Sequence, residues 1–252
     1  MIAYGEVIMD CRAVILAGGK GTRMGSDLPK VLHKVKGKTL LAHVLDNTRK
    51  AGIEDIAVVV GHKYRQVMDS QRDQQLFYLQ KYQRGTADAV KSASAFFRYS
   101  SLPVLVLLGD APLISAKCIK KLYDYFTDEK CDMCVLSATL EDAARYGRIL
   151  RGGNGEFLGI KEANEASEKE LEIKEINSGV MIFTRDALRY ALKHIKNNNS
   201  KKEYYLTDAV EVLLKRGCKV SAFDCGEPNV VVGANTPEEL KRCEALYESA
   251  AL

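Results

Sequence analysis

The segment AVILAGGKGTRMGSDLPK, residues 13–30, joins a short apolar run to a glycine-rich loop that carries two cations, Arg23 and Lys30. The apolar run has the length and composition of a buried strand, and the glycines mark a loop directly after it. Open α/β sheets bind ligands at the carboxyl ends of their strands, where this loop would lie. Glycine amides can approach phosphate oxygens closely, an arginine can pair with two oxygens, and a lysine adds a point charge. The segment therefore predicts a first strand followed by a phosphate-binding loop.

The loop does not match the two commonest nucleotide-binding motifs. From Gly19 the chain reads GKGTRM, so the third glycine of the dinucleotide fingerprint is missing. The later triplet GKT, residues 37–39, has Leu32 where a P-loop requires its first glycine. Pro29 restricts the backbone immediately before Lys30 and helps to fix the position of that cation. We therefore expect a phosphate site of a different type.

Short apolar runs alternate with helical patterns along the rest of the chain, which predicts an α/β fold: a Rossmann-like, mainly parallel sheet flanked by helices. Thr86 is expected to cap a helix over residues 86–97, and Thr236 with Glu239 to form a capping box on the last helix. GRILRGGNGEFLGIKE, residues 147–162, is typical of a β-hairpin and predicts a small hairpin lobe. The predicted strands are AVILAG, IAVVVG, VLVLLGD, DMCVLSA, EINSGVMIFT and KVSAFDC, and the other predicted helices are TLLAHVLDNTRKAG and LTDAVEVLLKRG.

Composition favours one domain spanning residues 1–252. The chain is 46% hydrophobic and 28% charged, which is enough to bury a full core. The net charge of +4 is mild, and outside residues 197–205 the cations are scattered in sequence, which fits a small anionic substrate rather than nucleic acid. No run approaches the roughly 18 apolar residues of a membrane span. Seven widely spread cysteines favour free thiols in a reducing cytoplasm.

The motifs of the chain resemble, in order, those of the sugar-1-phosphate nucleotidyltransferases. The string from Leu16 to Lys30 carries the first of them, and LQKYQRGTADA, LGDAPLI, YGRI, GIKEA, EINSGV, EYYLTD and GAN follow. Each motif alone is moderately specific, but together and in this order they cover nearly the entire chain. Within the family the chain is most similar to the uridylyltransferase half of the bifunctional enzyme that makes UDP-N-acetylglucosamine.

The resemblance implies a role for each matching residue. Arg23, Lys30 and Asp110 would be catalytic, and Asp110 and Asn235 would bind Mg²⁺. The nucleotide would be held by Leu16, Ala17, Gly18, Gly19, Gly21, Thr22, Gln80, Gly85 and Thr86, with Gln80 at the uracil. The sugar, beside the hairpin lobe, would be held by Gly109, Gly147, Glu162 and Asn177.

The resemblance also implies the reaction. UTP and a sugar-1-phosphate, most closely N-acetylglucosamine-1-phosphate, would give a UDP-sugar and pyrophosphate in a cytoplasmic step that supplies cell-envelope precursors. A phosphate oxygen is already a good nucleophile, so positioning and charge neutralisation suffice. The sequence has no counterpart of the family's acyltransferase β-helix domain, so acyl transfer is not expected. We expect a monomer or small homo-oligomer.

Four of these residues also have an interpretation that needs no resemblance. Asp110 ends an apolar strand, where a carboxylate suits Mg²⁺, although aspartate often simply caps the next element. Asn177 interrupts an apolar strand with an amide that is costly to bury without a partner. Glu162 is either an acceptor for sugar hydroxyls or a solvated charge at the strand edge. Asn235, by its position alone, is better explained as the lead-in to the last helix.

Departures from the family pattern leave alternatives for the substrates. Ala87 and Asp88 stand where the family has Gly-His, and Lys161 and Ala163 flank Glu162 where it tends to differ. A nucleotidyltransferase that uses CTP or dTTP, or another acceptor, is one alternative. A non-catalytic nucleotide-sugar-binding protein is the other, although such a protein need not keep Arg23, Lys30 and Asp110 together.

Overall fold

The computed structural model describes residues 8–71, 75–143 and 145–249, and it builds most of its strands into one nine-stranded sheet. The strands are β1 (Arg12–Ala17), β2 (Lys34–Val35), β3 (Lys38–Thr39), β4 (Ile56–Val60), β5 (Leu76–Leu79), β6 (Val104–Leu108), β7 (Met133–Thr139), β8 (Arg148–Arg151), β9 (Phe157–Lys161), β10 (Glu175–Phe183) and β11 (Val220–Asp224). The helices are α1 (Leu40–Lys50), α2 (Tyr64–Ser70), α3 (Thr86–Ser92), α4 (Ser94–Phe97), α5 (Ala116–Asp128), α6 (Glu168–Leu171), α7 (Arg185–His194), α8 (Ala209–Lys215) and α9 (Pro237–Ser249).

The sheet is mainly parallel, as the alternation of strands and helices predicts. Its main path runs β11-β7-β10-β6-β1-β4-β5. Strand β1 pairs in parallel with β4 and β6, β4 with β5, and β7 with β11. Strand β10 is antiparallel to both of its neighbours, β6 and β7. The sequence of β10 shows that the strand is apolar but contains no signal for its direction, so this insertion could not be predicted.

Helices cover both faces of the sheet, which explains the uninterrupted apolar strands. All five residues of β4 are buried, as expected when neither face meets water. Leu41 and Val44 of α1 pack on one face together with Leu122 of α5. Val90 of α3 and Leu188 of α7 pack on the opposite face. The alternate residues of β1 divide between these two clusters, which fixes the register of the central strand.

The helix predicted over residues 86–97 differs from the structure in its cap and in its length. Thr86 does not cap its helix: Gly85 is the residue before the helix, and Thr86 Oγ1 accepts a hydrogen bond from Leu206 N at 2.8 Å. The predicted helix over residues 86–97 is also divided, at Ala93, into α3 and α4. The side chain of Thr86 is therefore used to hold a distant segment against the helix rather than to cap it.

The capping box predicted for α9 is half formed. Thr236 Oγ1 accepts from Glu239 N at 3.2 Å, as expected. The carboxylate of Glu239, however, accepts from Asn235 N at 2.7 Å. The contact of Glu239 thus falls one residue earlier than the motif requires, and it orders the backbone of Asn235.

The predicted hairpin is confirmed as β8 and β9, which pair in antiparallel fashion. It joins the main sheet through a pairing of Arg148 in β8 with Ile176 in β10. Strands β2 and β3 form a separate small antiparallel pair. Within the described ranges, no helix combines the length and apolarity that a membrane crossing demands.

Candidate active site

The carboxyl ends of β1 and β6 open onto a cavity of about 820 Å³. Thirteen of the residues singled out in the sequence line it: Leu16, Ala17, Gly18, Gly19, Gly21, Thr22, Arg23, Lys30, Gln80, Gly85, Thr86, Asp110 and Asn235. Four others are not among its lining residues: Gly109, Gly147, Glu162 and Asn177. The structure therefore brings the loop, the strand end and the start of α9 to one cleft, with the expected sugar residues outside its lining.

The glycine loop turns back on itself at Gly21, which has the left-handed backbone angle φ 63°. A Cβ atom added at Gly21 would lie 2.6 Å from Lys30 Cβ, so a side chain would collide with the cation that follows. A short 3₁₀ turn, Thr22–Met24, then buries Met24 and leaves Arg23 exposed at the cavity. Glycine is required here by backbone conformation and by close packing at once.

Lys30, Asp110 and Asn235 form a hydrogen-bonded cluster at the edge of the cavity. Lys30 Nζ donates to Asp110 Oδ2 and to Asn235 Oδ1, the latter at 3.0 Å. Arg23 donates from a terminal guanidinium nitrogen to the same Asn235 oxygen at 3.1 Å. The Lys30 and Asp110 side chains are 18% and 15% exposed. Two cations against one carboxylate leave this cluster with a net positive charge, which suits a phosphate ligand.

The oxygens of Asp110 and Asn235 are also the candidate metal ligands. Both oxygens accept hydrogen bonds from one cation, the Lys30 ammonium group, so the two candidate ligand atoms already face a shared position. No group of three or more acidic, cysteine or histidine side chains in the described residues is arranged to hold a metal. One carboxylate and one amide oxygen fit Mg²⁺, which keeps several waters and binds few protein oxygens.

Gln80 also lines the cavity and is almost fully buried, with 4% exposure. Its Nε2 donates to Gly85 O at 3.1 Å and to Asp88 Oδ2 at 3.0 Å. Since both partners only accept hydrogen bonds when Asp88 is ionised, the amide nitrogen must face them. A Cβ atom added at Gly18 would lie 3.1 Å from Gln80 Oε1, so this oxygen faces the glycine loop.

Asp88, which departs from the family pattern, therefore sets the orientation of the Gln80 amide. Its carboxylate also accepts from a terminal nitrogen of Arg84 at 2.9 Å and has only 12% side-chain exposure. Within the described chain, Gln80 Oε1 takes part in no hydrogen bond that would occupy it. The part of the cavity that Gln80 lines thus offers a fixed hydrogen-bond acceptor.

Gly85, which also lines the cavity, packs against the segment EYYLTD, residues 203–208. Its φ is 107°, and a Cβ atom added there would lie 2.4 Å from Tyr204 O. Tyr204 O accepts from Ala87 N at 2.9 Å, and Leu206 N donates to Thr86. The start of α3 and residues 203–208 are therefore held together by backbone contacts that leave no room for a side chain at position 85.

Gly147, Glu162 and Asn177 form a second cluster at the base of the hairpin. Asn177 N donates to Gly147 O at 2.8 Å, and a Cβ atom on Gly147 would lie 3.6 Å from Glu162 Oε2. Asn177 is 8% exposed, and its Oδ1 accepts from Gly179 N at 2.9 Å. This contact, next to a register shift in β10, partly satisfies the buried amide that the sequence singled out.

Asp208 adds a titratable group near this second cluster. Burial and, to a smaller extent, the negative charges of Glu211, Glu162 and Glu165 together raise its pKa from 3.8 to about 6. Thr207, next to it, donates to Glu162 Oε1 at 3.3 Å. The surroundings of the hairpin cluster are therefore acidic, whereas the glycine loop is cationic.

Several lining residues were not predicted as site residues: Lys20, Lys81, Tyr82, Gln83, Glu203 and Tyr205. Lys20 stands between two glycines of the loop, and this position was a usable signal for a further phosphate contact. Glu203 and Tyr205 lie in a motif noted only for its resemblance. Lys81, Tyr82 and Gln83 follow β5 in the motif LQKYQRGTADA, of which only Gln80, Gly85 and Thr86 were assigned to the site.

Known proteins are similar to this chain over most of its length. The family model for the MobA-like NTP transferase domain matches residues 13–209. The bifunctional protein GlmU of Clostridioides difficile strain 630 is 39% identical over 238 residues, covering 94% of this chain and 52% of that protein. GlmU of Clostridium botulinum strain Kyoto is 40% identical over 233 residues, which cover 92% of this chain and 51% of that protein. The chain thus spans about half the length of these curated relatives.

A solved structure of UDP-glucose pyrophosphorylase complexed with UDP-glucose has the same fold. It superposes with a TM-score of 0.76 at 19% identity, covering 96% of this chain and all of the other. At 19% identity the likeness concerns the arrangement of strands and helices alone.

Proposed function

Since the chain belongs to the MobA-like NTP transferase domain family, we propose that it transfers a uridylyl group from UTP to a sugar-1-phosphate, with N-acetylglucosamine-1-phosphate as the acceptor. The observation that carries this proposal is the convergence of Arg23, Lys30, Asp110 and Asn235 at one edge of the cavity. The GlmU relatives, about 40% identical, support the choice of reaction. The seven free thiols support a cytoplasmic location.

In the proposed reaction an oxygen of the sugar-1-phosphate attacks the α-phosphorus of UTP in line. The new phosphorus–oxygen bond forms as the bond to the β-phosphate oxygen breaks, and pyrophosphate leaves with the electron pair. No proton has to be removed from an ionised phosphate nucleophile. The residues therefore contribute by holding the two phosphates together and by offsetting their charge.

In the proposed reaction Lys30 and Arg23 have different roles. Lys30 is fixed by Asp110 and Asn235, so its ammonium group is held in place before substrates arrive. Arg23, which is exposed on the loop, would pair with the departing pyrophosphate. The glycine amides next to it can approach the same oxygens, since Gly19 has no neighbour within 4 Å of an added Cβ atom.

Asp110 and Asn235 would hold Mg²⁺ in the same proposal. A bound Mg²⁺ supplies Lewis-acid stabilisation of the charge on the transferred phosphoryl group. Asp110 then serves in two ways, as a metal ligand and as the carboxylate that orients Lys30. Its position after β6 is rigid, because Gly109 N donates to Leu16 O at 2.9 Å and Ala234 N donates to Asp110 O at 3.0 Å.

The test is pyrophosphate release in the presence of Mg²⁺, with UTP, CTP and dTTP each combined with several sugar-1-phosphates. We expect the fastest release from UTP with N-acetylglucosamine-1-phosphate. A preference for CTP or dTTP would reject the uridylyl assignment. Release from no pair, with nucleotide binding retained, would identify a non-catalytic binding protein.

Two substitutions test the proposed cluster. Arg23→Ala and Asp110→Asn should each lower kcat by about 10²- to 10³-fold, the usual effect of removing a preorganised charge from a reacting centre. Arg65→Ala and Asp69→Asn are matched controls, because both residues are exposed on α2 outside the cavity lining. Thermal unfolding would verify that all four variants are folded. If Arg23→Ala or Asp110→Asn kept the rate of its control with saturating Mg²⁺, its assigned role would be wrong.

A further inference from the structure

A second cavity, of about 670 Å³, lies where α3, α4 and α7 meet, on the sheet face opposite α1 and α5. Its walls include two apolar residues, Phe97 and Leu192, of which Phe97 is only 1% exposed. Its other charged and aromatic lining residues are Lys91, Arg98, Tyr99, Arg185, Arg189 and Lys193, and we call this site the basic groove.

The cations of the basic groove are largely unpaired. Arg185 Nε lies 2.7 Å from Asp186 Oδ1, and in the described residues the other four cations make no ion pair. Five cations beside one carboxylate leave an excess of four positive charges, which equals the net charge of the whole chain. The remainder of the molecule is therefore neutral on balance, and its positive excess is concentrated at one place.

This concentration works against folding. Arg185, Arg189 and Lys193 follow one another at intervals of four residues, so they form a stripe on one face of α7. Like charges at that spacing destabilise a helix, and they face two more cations across the groove. The cations are scattered in sequence, but packing of α3 and α4 on α7 brings residues about ninety positions apart into one groove.

We propose that the basic groove binds a small ligand that carries two or more phosphate groups. Its volume falls in the range of small-molecule sites. Five of its lining side chains are cations, which suit phosphate oxygens. The stripe on α7 spans about 12 Å, at 1.5 Å per residue, so several phosphates of one ligand can be paired along it. Tyr99 is 89% exposed at the rim and offers an aromatic face to a ring attached to those phosphates.

This proposal goes beyond the transfer reaction and does not depend on it. None of the groove cations lines the cavity of about 820 Å³, so the two sites can be altered separately. They lie toward opposite ends of α3, since Thr86 lines the first cavity and Lys91 the second.

The experiment is a calorimetric titration of the full chain with inorganic tripolyphosphate at low ionic strength. Lys91→Glu with Lys193→Glu removes the positive excess of the groove. Lys117→Glu with Lys120→Glu is the matched control, because these exposed lysines of α5 change the total charge equally and lie outside the groove. Thermal unfolding and pyrophosphate release are measured on both variants.

We expect the unaltered chain and the control variant to bind one tripolyphosphate in the groove, whether or not another binds at Arg23. The groove variant should bind one tripolyphosphate fewer than its control, or bind it at least about tenfold more weakly. Equal binding by the groove and control variants would overturn the proposal. Tighter binding of a single-stranded oligonucleotide than of tripolyphosphate, lost in the groove variant, would also overturn it in favour of nucleic acid. If the groove variant does not fold, Arg189→Gln with Lys193→Gln removes two charges at similar side-chain length and is judged by the same outcomes.

Discussion

At the scale of single residues, Asp88 is the departure from the family pattern whose effect we expect on nucleotide choice, through its contact with Gln80. It fixes the Gln80 amide so that its oxygen remains available. An imino N–H, which uracil has and cytosine lacks, is a partner for such an acceptor. With Asp88→Asn, the new amide can accept from or donate to Gln80, so Gln80 can adopt both orientations.

We therefore expect Asp88→Asn to lower the ratio of kcat/KM for UTP over CTP by about tenfold, since a misdirected polar group is costly in a specificity pocket. The measurement is the rate of pyrophosphate release with each nucleotide. Asp69→Asn is the control for loss of a carboxylate far from the pocket. A UTP preference that stays the same in Asp88→Asn would show that Gln80 is held without Asp88.

Sequence reasoning was strongest where a residue's chemistry is local. Arg23 and Lys30 could be singled out because they share one short loop with four glycines, and Asp110 because it ends an apolar strand. That all three line one cavity is a finding of the structure. The orientation of Gln80 could not be predicted, since it depends on hydrogen bonds to two residues whose positions are set by the folded loop.

At the scale of elements, the start of α3 is where backbone geometry is most constrained. Gly85→Ala would combine an unfavourable φ of 107° with a Cβ contact of 2.4 Å to Tyr204 O. We expect a loss of about 2–3 kcal/mol in the free energy of unfolding, measured by urea denaturation.

Gly217→Ala is the matched control for this prediction. Gly217 has φ 80° at the end of α8, but an added Cβ atom there meets nothing within 4 Å. The Gly217→Ala variant should lose only about 1 kcal/mol in the free energy of unfolding, which is the usual cost of placing a side chain in the left-handed conformation. If the two variants lost equal stability, the close approach of Tyr204 would contribute nothing.

Most elements could be predicted because their periodicity is strong, as in α1, whose apolar positions 40, 41, 44 and 45 are all buried. Two properties of the elements could not be predicted from the sequence. The direction of β10 depends on its neighbours, and the break at Ala93 depends on how α3 and α4 pack. Both are decided by tertiary contacts that a local pattern does not contain.

At the scale of the whole molecule, charge is segregated in a way that the total of +4 conceals. Cations collect at the glycine loop and in the basic groove, while carboxylates collect around Asp208 and the hairpin cluster. Net charge is a property of composition, but its distribution is a property of the fold, which is why cations that are scattered in sequence can lie together in space.

The acidic region gives the molecule a pH-dependent stability. The pKa of Asp208 is raised by burial first and by neighbouring carboxylates second, from 3.8 to about 6. Between these values the folded chain holds a proton that the unfolded chain releases, so stability falls as pH rises through this interval. The penalty is complete above about pH 6.

Asp208→Asn removes this ionisation, and we expect it to raise the free energy of unfolding at pH 7 by about 1 kcal/mol, a value reduced for the partial solvent exposure of the group. Near pH 4, where Asp208 is protonated in the folded state, variant and unaltered chain should be equally stable. Urea denaturation at intervals from pH 4 to pH 8 measures both curves, with Asp69→Asn as the exposed control. A gain of the same size at every pH would mean that packing of the new amide, and not the buried charge, is responsible.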